Sequence, residues 1–165
     1  MAHRIVDASL DDVPLLVDVI RKSFADVAAR FGLTPENCPK HPSNCAPEWI
    51  DSTIRKGVRY FVLYLDGVPA GCVAVEQGPP GVCYLERLAV LPEHRRLGLG
   101  RALVDRTIPH AVTLGAVRVE IGIIAAQEDL KEWYRRIGFI ETRTAVFPHL
   151  PFTVCFMAKG LQTGR

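Results

Sequence analysis

A chain of 165 residues, 48% apolar and 23% charged, is long enough for one domain with its own core and too apolar to stay disordered. A net charge of +2 argues against non-specific nucleic-acid binding. No apolar run reaches membrane-spanning length, the polar opening His3-Arg4-Ile5-Val6-Asp7 is unlike a signal peptide, and the five cysteines read as reduced thiols of an intracellular, cytoplasmic protein.

In chain order, residues 4–8 predict a short strand. Ser9 with Asp12 then predicts a helix cap, and Val13, Leu16, Val17, Ile20 and Phe24 recur at helical spacing up to a fraying end between Arg30 and Gly32. Residues 34–47, TPENCPKHPSNCAP, hold four prolines and two asparagines, which exclude a long regular element. Cys38, His41 and Cys45 lie close together there. Three readings stand: a metal site lacking the fourth ligand that structural zinc takes, a rigid loop with buried thiols, and a wall of a substrate pocket. The expectation is no metal. Pro47 suits the first turn of a second helix with Trp49, Ile50 and Ile54 inward.

From Tyr60 the period becomes that of a strand. Residues 60–65 and 68–76 predict two strands about an Asp66-Gly67 hairpin, with Gly71 at a bend or bulge. After Gly78-Pro79-Pro80-Gly81, residues 82–90 predict a third. A helix follows Gly100, kinked or broken at Pro109 and ended by Gly115. Residues 117–124 predict a strand with Val117, Val119, Ile121 and Ile123 on one face. Residues 127–137 form a short helix stopped by Gly138, and residues 139–146 and 153–159 are the last strands.

Between the strand at 82–90 and the helix lies Leu91-Pro92-Glu93-His94-Arg95-Arg96-Leu97-Gly98-Leu99-Gly100. Pro92 ends the ladder, and Gly98 and Gly100 allow a tight turn and close approach of a ligand. The first N–H groups of a helix have no internal partners and carry the positive end of its dipole, so the turn suits an anion. Arg95, Arg96 and Arg101 add charge fitted to phosphate oxygens. No Walker loop is present, and the dinucleotide pattern fails because Leu103 stands where its last glycine belongs. The match is R-x-x-G-x-G. With Leu88-Ala89-Val90-Leu91-Pro92 before it, the stretch resembles the acetyl-CoA loop of the GNAT acetyltransferase superfamily; the alternative is a structural helix-entrance turn.

Trp133-Tyr134-Arg135-Arg136-Ile137-Gly138-Phe139 resembles a second segment of that family, and the order β-α-α-β-β-β-α-β-α-β-β agrees with it. The resemblance implies a single α/β domain over residues 1–165. Its mixed, mostly antiparallel sheet would be splayed between two strands, with helices on both faces. Acetyl-CoA would be the co-substrate, its pantetheine wedged between the strands through Leu88 and Ile121 and paired with the backbone of Leu88, Ala89 and Val90. Its diphosphate would rest on the amides of Arg95, Arg96, Leu97, Gly98, Leu99, Gly100, Arg101 and Ala102. Gln127 stands where the family often has Asn.

The implied chemistry is direct acetyl transfer to a primary amine in a ternary complex. At pH 7 only about one alkyl amine in two thousand is unprotonated, which makes a general base useful. Glu86 is the first candidate, with a structural ion pair as its other reading; Glu120 and His149 follow. Tyr134 matches the general acid for the departing thiolate. The acceptor would enter opposite acetyl-CoA, between 31–49 and 147–152, stretches poor in carboxylates that do not favour a strongly cationic substrate. A CoA-binding sensor without turnover is the alternative function. No nucleic acid or membrane is expected, and a homodimer through terminal strands is left open.

Overall fold

The computed structural model describes residues 2–162. In chain order they form β1 (His3–Asp7), α1 (Val13–Phe31), α2 (Pro47–Arg55), β2 (Arg59–Leu65), β3 (Val68–Gln77), β4 (Val82–Val90), α3 (Leu99–Thr113), β5 (Arg118–Ile124), α4 (Glu128–Arg136), β6 (Ile140–Val146) and β7 (Thr153–Gly160). The element order is the one read from the sequence. Ser9 and Asp12 do form a capping box, but around a 3-10 turn at Leu10–Asp12 that leads into α1. Pro47 opens α2 at its first turn, and Gly32 closes α1 in the left-handed conformation.

Pro109 neither breaks nor ends α3, which runs on to Thr113. Pro109 lies on the exposed face, so water can satisfy the carbonyl it deprives of a donor. Val117 also departs from expectation: it precedes β5 and is 51% exposed, while Val119, Ile121 and Ile123 are buried.

The seven strands form one sheet in the order β1-β2-β3-β4-β5-β7-β6, antiparallel except for β4 beside β5. Helices α3 and α4 cover one face, where Leu99, Leu103, Val104 and Tyr134 pack on Val73, Leu85, Ile121 and Met157. Helices α1 and α2 cover the other over β1–β4, where Leu16, Ile20 and Ile50 pack on Tyr60, Val62, Cys72, Ala74 and Ala89. Burying each such aliphatic side chain contributes about 1.5–3 kcal/mol, which makes these two layers the bulk of the stabilisation.

Strands β4 and β5 pair only at Val82–Arg118, Cys83–Val119 and Tyr84–Glu120. Beyond that they part. The register between β3 and β4 shifts at the same place: Cys72 faces Ala89, whereas Ala74 faces Glu86. Arg87 therefore sits in a bulge, with a left-handed φ of 52°. Such a conformation in a non-glycine residue costs about 1–3 kcal/mol. The Arg87 guanidinium donates to the Tyr60 hydroxyl at 2.7 Å, and Tyr60 shares a 2.8 Å hydrogen bond with Thr53 of α2. A bond to a charged group contributes about 1.5–3 kcal/mol, enough to offset the strain.

Gly71 of β3 lies opposite Val90, at the parted end of β4. A Cβ there would stand 2.6 Å from the Ala89 carbonyl oxygen, a backbone atom that cannot swing aside. Gly71→Ala is therefore expected to destabilise the fold by about 1–3 kcal/mol, read as a lower urea midpoint at unchanged slope. An unchanged midpoint would contradict this close β3–β4 approach.

Candidate active site

At the end of β4 the chain makes a 3-10 turn at Pro92–His94 and enters α3 through Gly98, whose φ of 78° is left-handed. The first helical hydrogen bond runs from the Ala102 N–H to the Gly98 carbonyl. The N–H groups of Leu99, Gly100 and Arg101 thus precede the helical ladder, and no side chain caps them. An uncapped, glycine-led helix entrance beside a parted strand pair is an anion site in its chemistry. Gly100 has a second reason to be glycine: its Cβ would lie 3.1 Å from the Trp133 ring of α4.

The three arginines of the loop are placed differently. Arg95 turns toward α1: Nη1 donates to Asp26 at 2.6 Å, Nη2 to the Ser23 carbonyl at 2.7 Å, and Nε to the Val90 carbonyl at 3.2 Å. Its side chain fastens the loop to α1, and the guanidinium beside Asp26 holds that carboxyl below its ordinary range. Arg96 is exposed, with a left-handed φ of 66°, and makes no ion pair among the described residues. Arg101 pairs loosely with Asp105 at 3.8 Å, one helical turn on.

Leu88 and Val90 lie partly buried against the α3–α4 face of the sheet, whereas Ala89 packs on the α1–α2 side. Tyr134 is buried between the rings of Trp133 and Phe139, at 5.0 and 5.2 Å between centroids. Burial raises its phenol above the ordinary tyrosine range, so at neutral pH it holds its proton. Among the described residues its hydroxyl has no hydrogen-bond partner in the protein. Gln127 precedes α4 and is buried, and its side-chain amide likewise bonds to no protein atom among the described residues.

Glu86 faces the α1–α2 side, as its cross-strand partner Ala74 does. Glu76, two residues along β3, shares that face. Burial, then the neighbouring Glu76 carboxyl, push Glu86 up to about 8, against the opposing pull of Arg87. Among the described residues Glu86 forms no ion pair, and the carboxyl beside it is that of Glu76. The weaker base candidates are otherwise placed: Glu120 is held by Arg118 at 2.6 Å, and His149 leans on the Phe147 ring in the β6–β7 connection.

Residues 34–47 form a self-bonded loop. Thr34 and Asn37 exchange side-chain-to-backbone bonds, and Asn37 and Asn44 donate to the carbonyls of Gly32 and Cys38. Cys38, His41 and Cys45 are buried, and the His41 Nδ1 is engaged by Ser43 at 2.7 Å. Among the described residues no three His, Cys, Asp or Glu side chains gather as a ligand set. Beside this loop a groove of about 580 Å³ opens between Phe31, Leu33, Ile124, Ala125, Pro151 and Phe152.

Sequence reasoning missed Glu76, the Asp26–Arg95 tie and the Trp133–Gly100 contact. Glu76 entered only as the end of the 68–76 strand, and it is the β3–β4 register that brings it to Glu86. The other two join elements far apart in the chain, and no local pattern marks them.

Residues 27–139 match the model of the "Acetyltransferase (GNAT) family". A mycothiol acetyltransferase of Propionibacterium freudenreichii is 31% identical over 137 residues, 82% of this chain and 42% of that protein. An uncharacterised N-acetyltransferase of Schizosaccharomyces pombe is 34% identical over 89 residues, 53% of this chain and 55% of that protein. The chain thus spans about half the length of these relatives or less. The ribosomal-protein-S18-alanine N-acetyltransferase of Escherichia coli superposes with a TM-score of 0.77 at 18% identity, over 99% of this chain and 97% of that one. The PaiA N-acetyltransferase of Thermoplasma acidophilum, solved with coenzyme A, gives 0.73 at 16% identity, over 97% and 99%. The chain belongs to the GNAT family of acetyltransferases.

Proposed function

We propose that this acetyltransferase moves the acetyl group of acetyl-CoA to a primary amine by direct attack in a ternary complex. The observation that carries the reading is the uncapped entrance of α3 beside two strands that part after Tyr84. The amides from Arg96 to Arg101 take the diphosphate, with the Arg96 and Arg101 side chains as outer charges. The Arg95 side chain serves by holding the loop on α1. The backbone of Leu88 and the Val90 N–H lie on the β4 edge that β5 has left and offer the pantetheine a partner in place of β5, while the Val90 carbonyl is held by Arg95. Gln127, whose side-chain amide bonds to no protein atom among the described residues, adds a polar contact from the start of α4.

Glu86 takes the proton of the incoming ammonium on the α1–α2 face, directly or through one water. Its raised pKa suits the task, because a base near neutrality accepts a proton without being a trivially weak one. The Val90 N–H meets the negative oxygen that develops at the attacked carbonyl. As the carbon–sulfur bond breaks, Tyr134 gives its proton to the departing thiolate, and the second proton that the nitrogen sheds on becoming an amide restores the phenol through solvent. A buried, protonated phenol without a competing hydrogen bond is fitted to this.

A carboxyl raised to about 8 is protonated and idle below that pH and becomes a base above it. The wild-type kcat/KM is therefore expected to rise with pH through a limb near 8, beyond the amine's own titration. Glu86→Gln should lack that limb; identical profiles would remove Glu86 as the base. Tyr134→Phe is expected to lower kcat by about a hundredfold or more with acetyl-CoA affinity unchanged. An unchanged kcat would contradict the role of Tyr134, and calorimetry with acetyl-CoA checks the affinity.

A further inference from the structure

We propose that the acceptor of this chain carries a bulky apolar or aromatic group within a few bonds of its amine, and that this group occupies the groove between Phe31, Leu33, Ile124, Pro151 and Phe152. The proposal rests on the acyl-transfer reading above and deepens it.

Strand alternation puts the groove on the face of the reacting centre. Tyr84 pairs with Glu120, the last pair before the strands part, so Glu86 and Gly122, each two residues on, face the same side of the sheet across the opening. Ile124 is two residues further along β5, a step of about 6–7 Å. No helix intervenes at Gly122; Phe156 and Val154 of β7 lean to within 3.4 Å of the position its Cβ would take. An amine at the mouth of the parted strands, near Glu86, therefore shares a face of the sheet with Ile124 and the groove that it lines. The volume of about 580 Å³ is that of a small-molecule site.

The chemistry of the walls selects the substituent. Phe31, Leu33, Ile124, Pro151 and Phe152 present no carboxylate. At the rim, Asp129 is held by Arg30 at 3.0 Å, and the Arg30 guanidinium also lies 5.0 Å from the centroid of the Phe31 ring. A second ammonium on the acceptor would find its nearest carboxylate taken and a guanidinium beside it. A phenyl or branched aliphatic group would instead leave water for a matching surface. Even a single methylene in such a pocket discriminates about 10–200-fold, so a whole ring suffices for a clear preference.

Initial rates with acetyl-CoA and 2-phenylethylamine, phenylalaninamide, glycinamide and spermidine test this. The first two are expected to show kcat/KM at least about tenfold above the last two. Phe152→Ala is expected to erase that margin, read as the ratio of 2-phenylethylamine to glycinamide. Phe31→Ala gives the same readout from the opposite wall should the first variant fold poorly. Turnover of a phenylalanine-initiated peptide with the small amines idle assigns the same chemistry to a polypeptide N-terminus. Spermidine or glycinamide used as well as 2-phenylethylamine overturns the preference and leaves acetyl transfer standing. No transfer to any of these acceptors by protein that binds acetyl-CoA overturns both.

Discussion

The bulge at Arg87 is the constraint on which the rest depends. Strand β4 leaves its pairing with β5 after Tyr84, and three residues on, at Arg87, it carries one extra residue against β3. From there the two strands diverge, and the sheet is left with an internal edge that has backbone donors and acceptors on both sides. Burying such groups without partners costs about 1–3 kcal/mol each, so a ligand that supplies them binds where the fold is incomplete. The strain is held by the chain from Arg87 through Tyr60 to Thr53, which ties the bulge to α2. Glu86, the last residue of β4 paired in register before the bulge, faces the α1–α2 side, while Leu88 beyond it faces α3 and α4.

Helix α1 lies across both lips of the opening. Asp26 and the Ser23 carbonyl hold Arg95 of the β4–α3 loop, and Arg30 holds Asp129 in the first turn of α4. These pairs are more than a third exposed, so their contribution to stability is small. Their effect is geometric. They tie α1 to the β4–α3 loop on one side and to the first turn of α4 on the other.

Much of this was legible in the sequence. The run from Val82 to Val104 declared a strand, a stop and a glycine-led helix entrance, because each depends on local chemistry. The Pro47 start of α2 and the Asp66-Gly67 hairpin, whose two residues have φ of 50° and 83°, are local in the same way. What the sequence concealed depends on register and long-range contact. Arg95 looked like a phosphate ligand, and its side chain is spent on α1. Pro109 looked like a break, and its exposed position lets α3 continue. Glu86 looked like an ion-pair residue or a base, and the sequence did not show Glu76 beside it, because Glu76 arrives from a neighbouring strand.

The central claim is that main-chain donors at the start of α3, with the free edge of β4, hold an acyl-CoA. Amide chemical shifts of isotopically labelled protein titrated with coenzyme A test it most directly. The account expects the largest changes at Leu97, Leu99, Gly100 and Arg101 and at Leu88 and Val90. Saturable binding that leaves these amides unmoved, or no binding at all by folded protein, would contradict it.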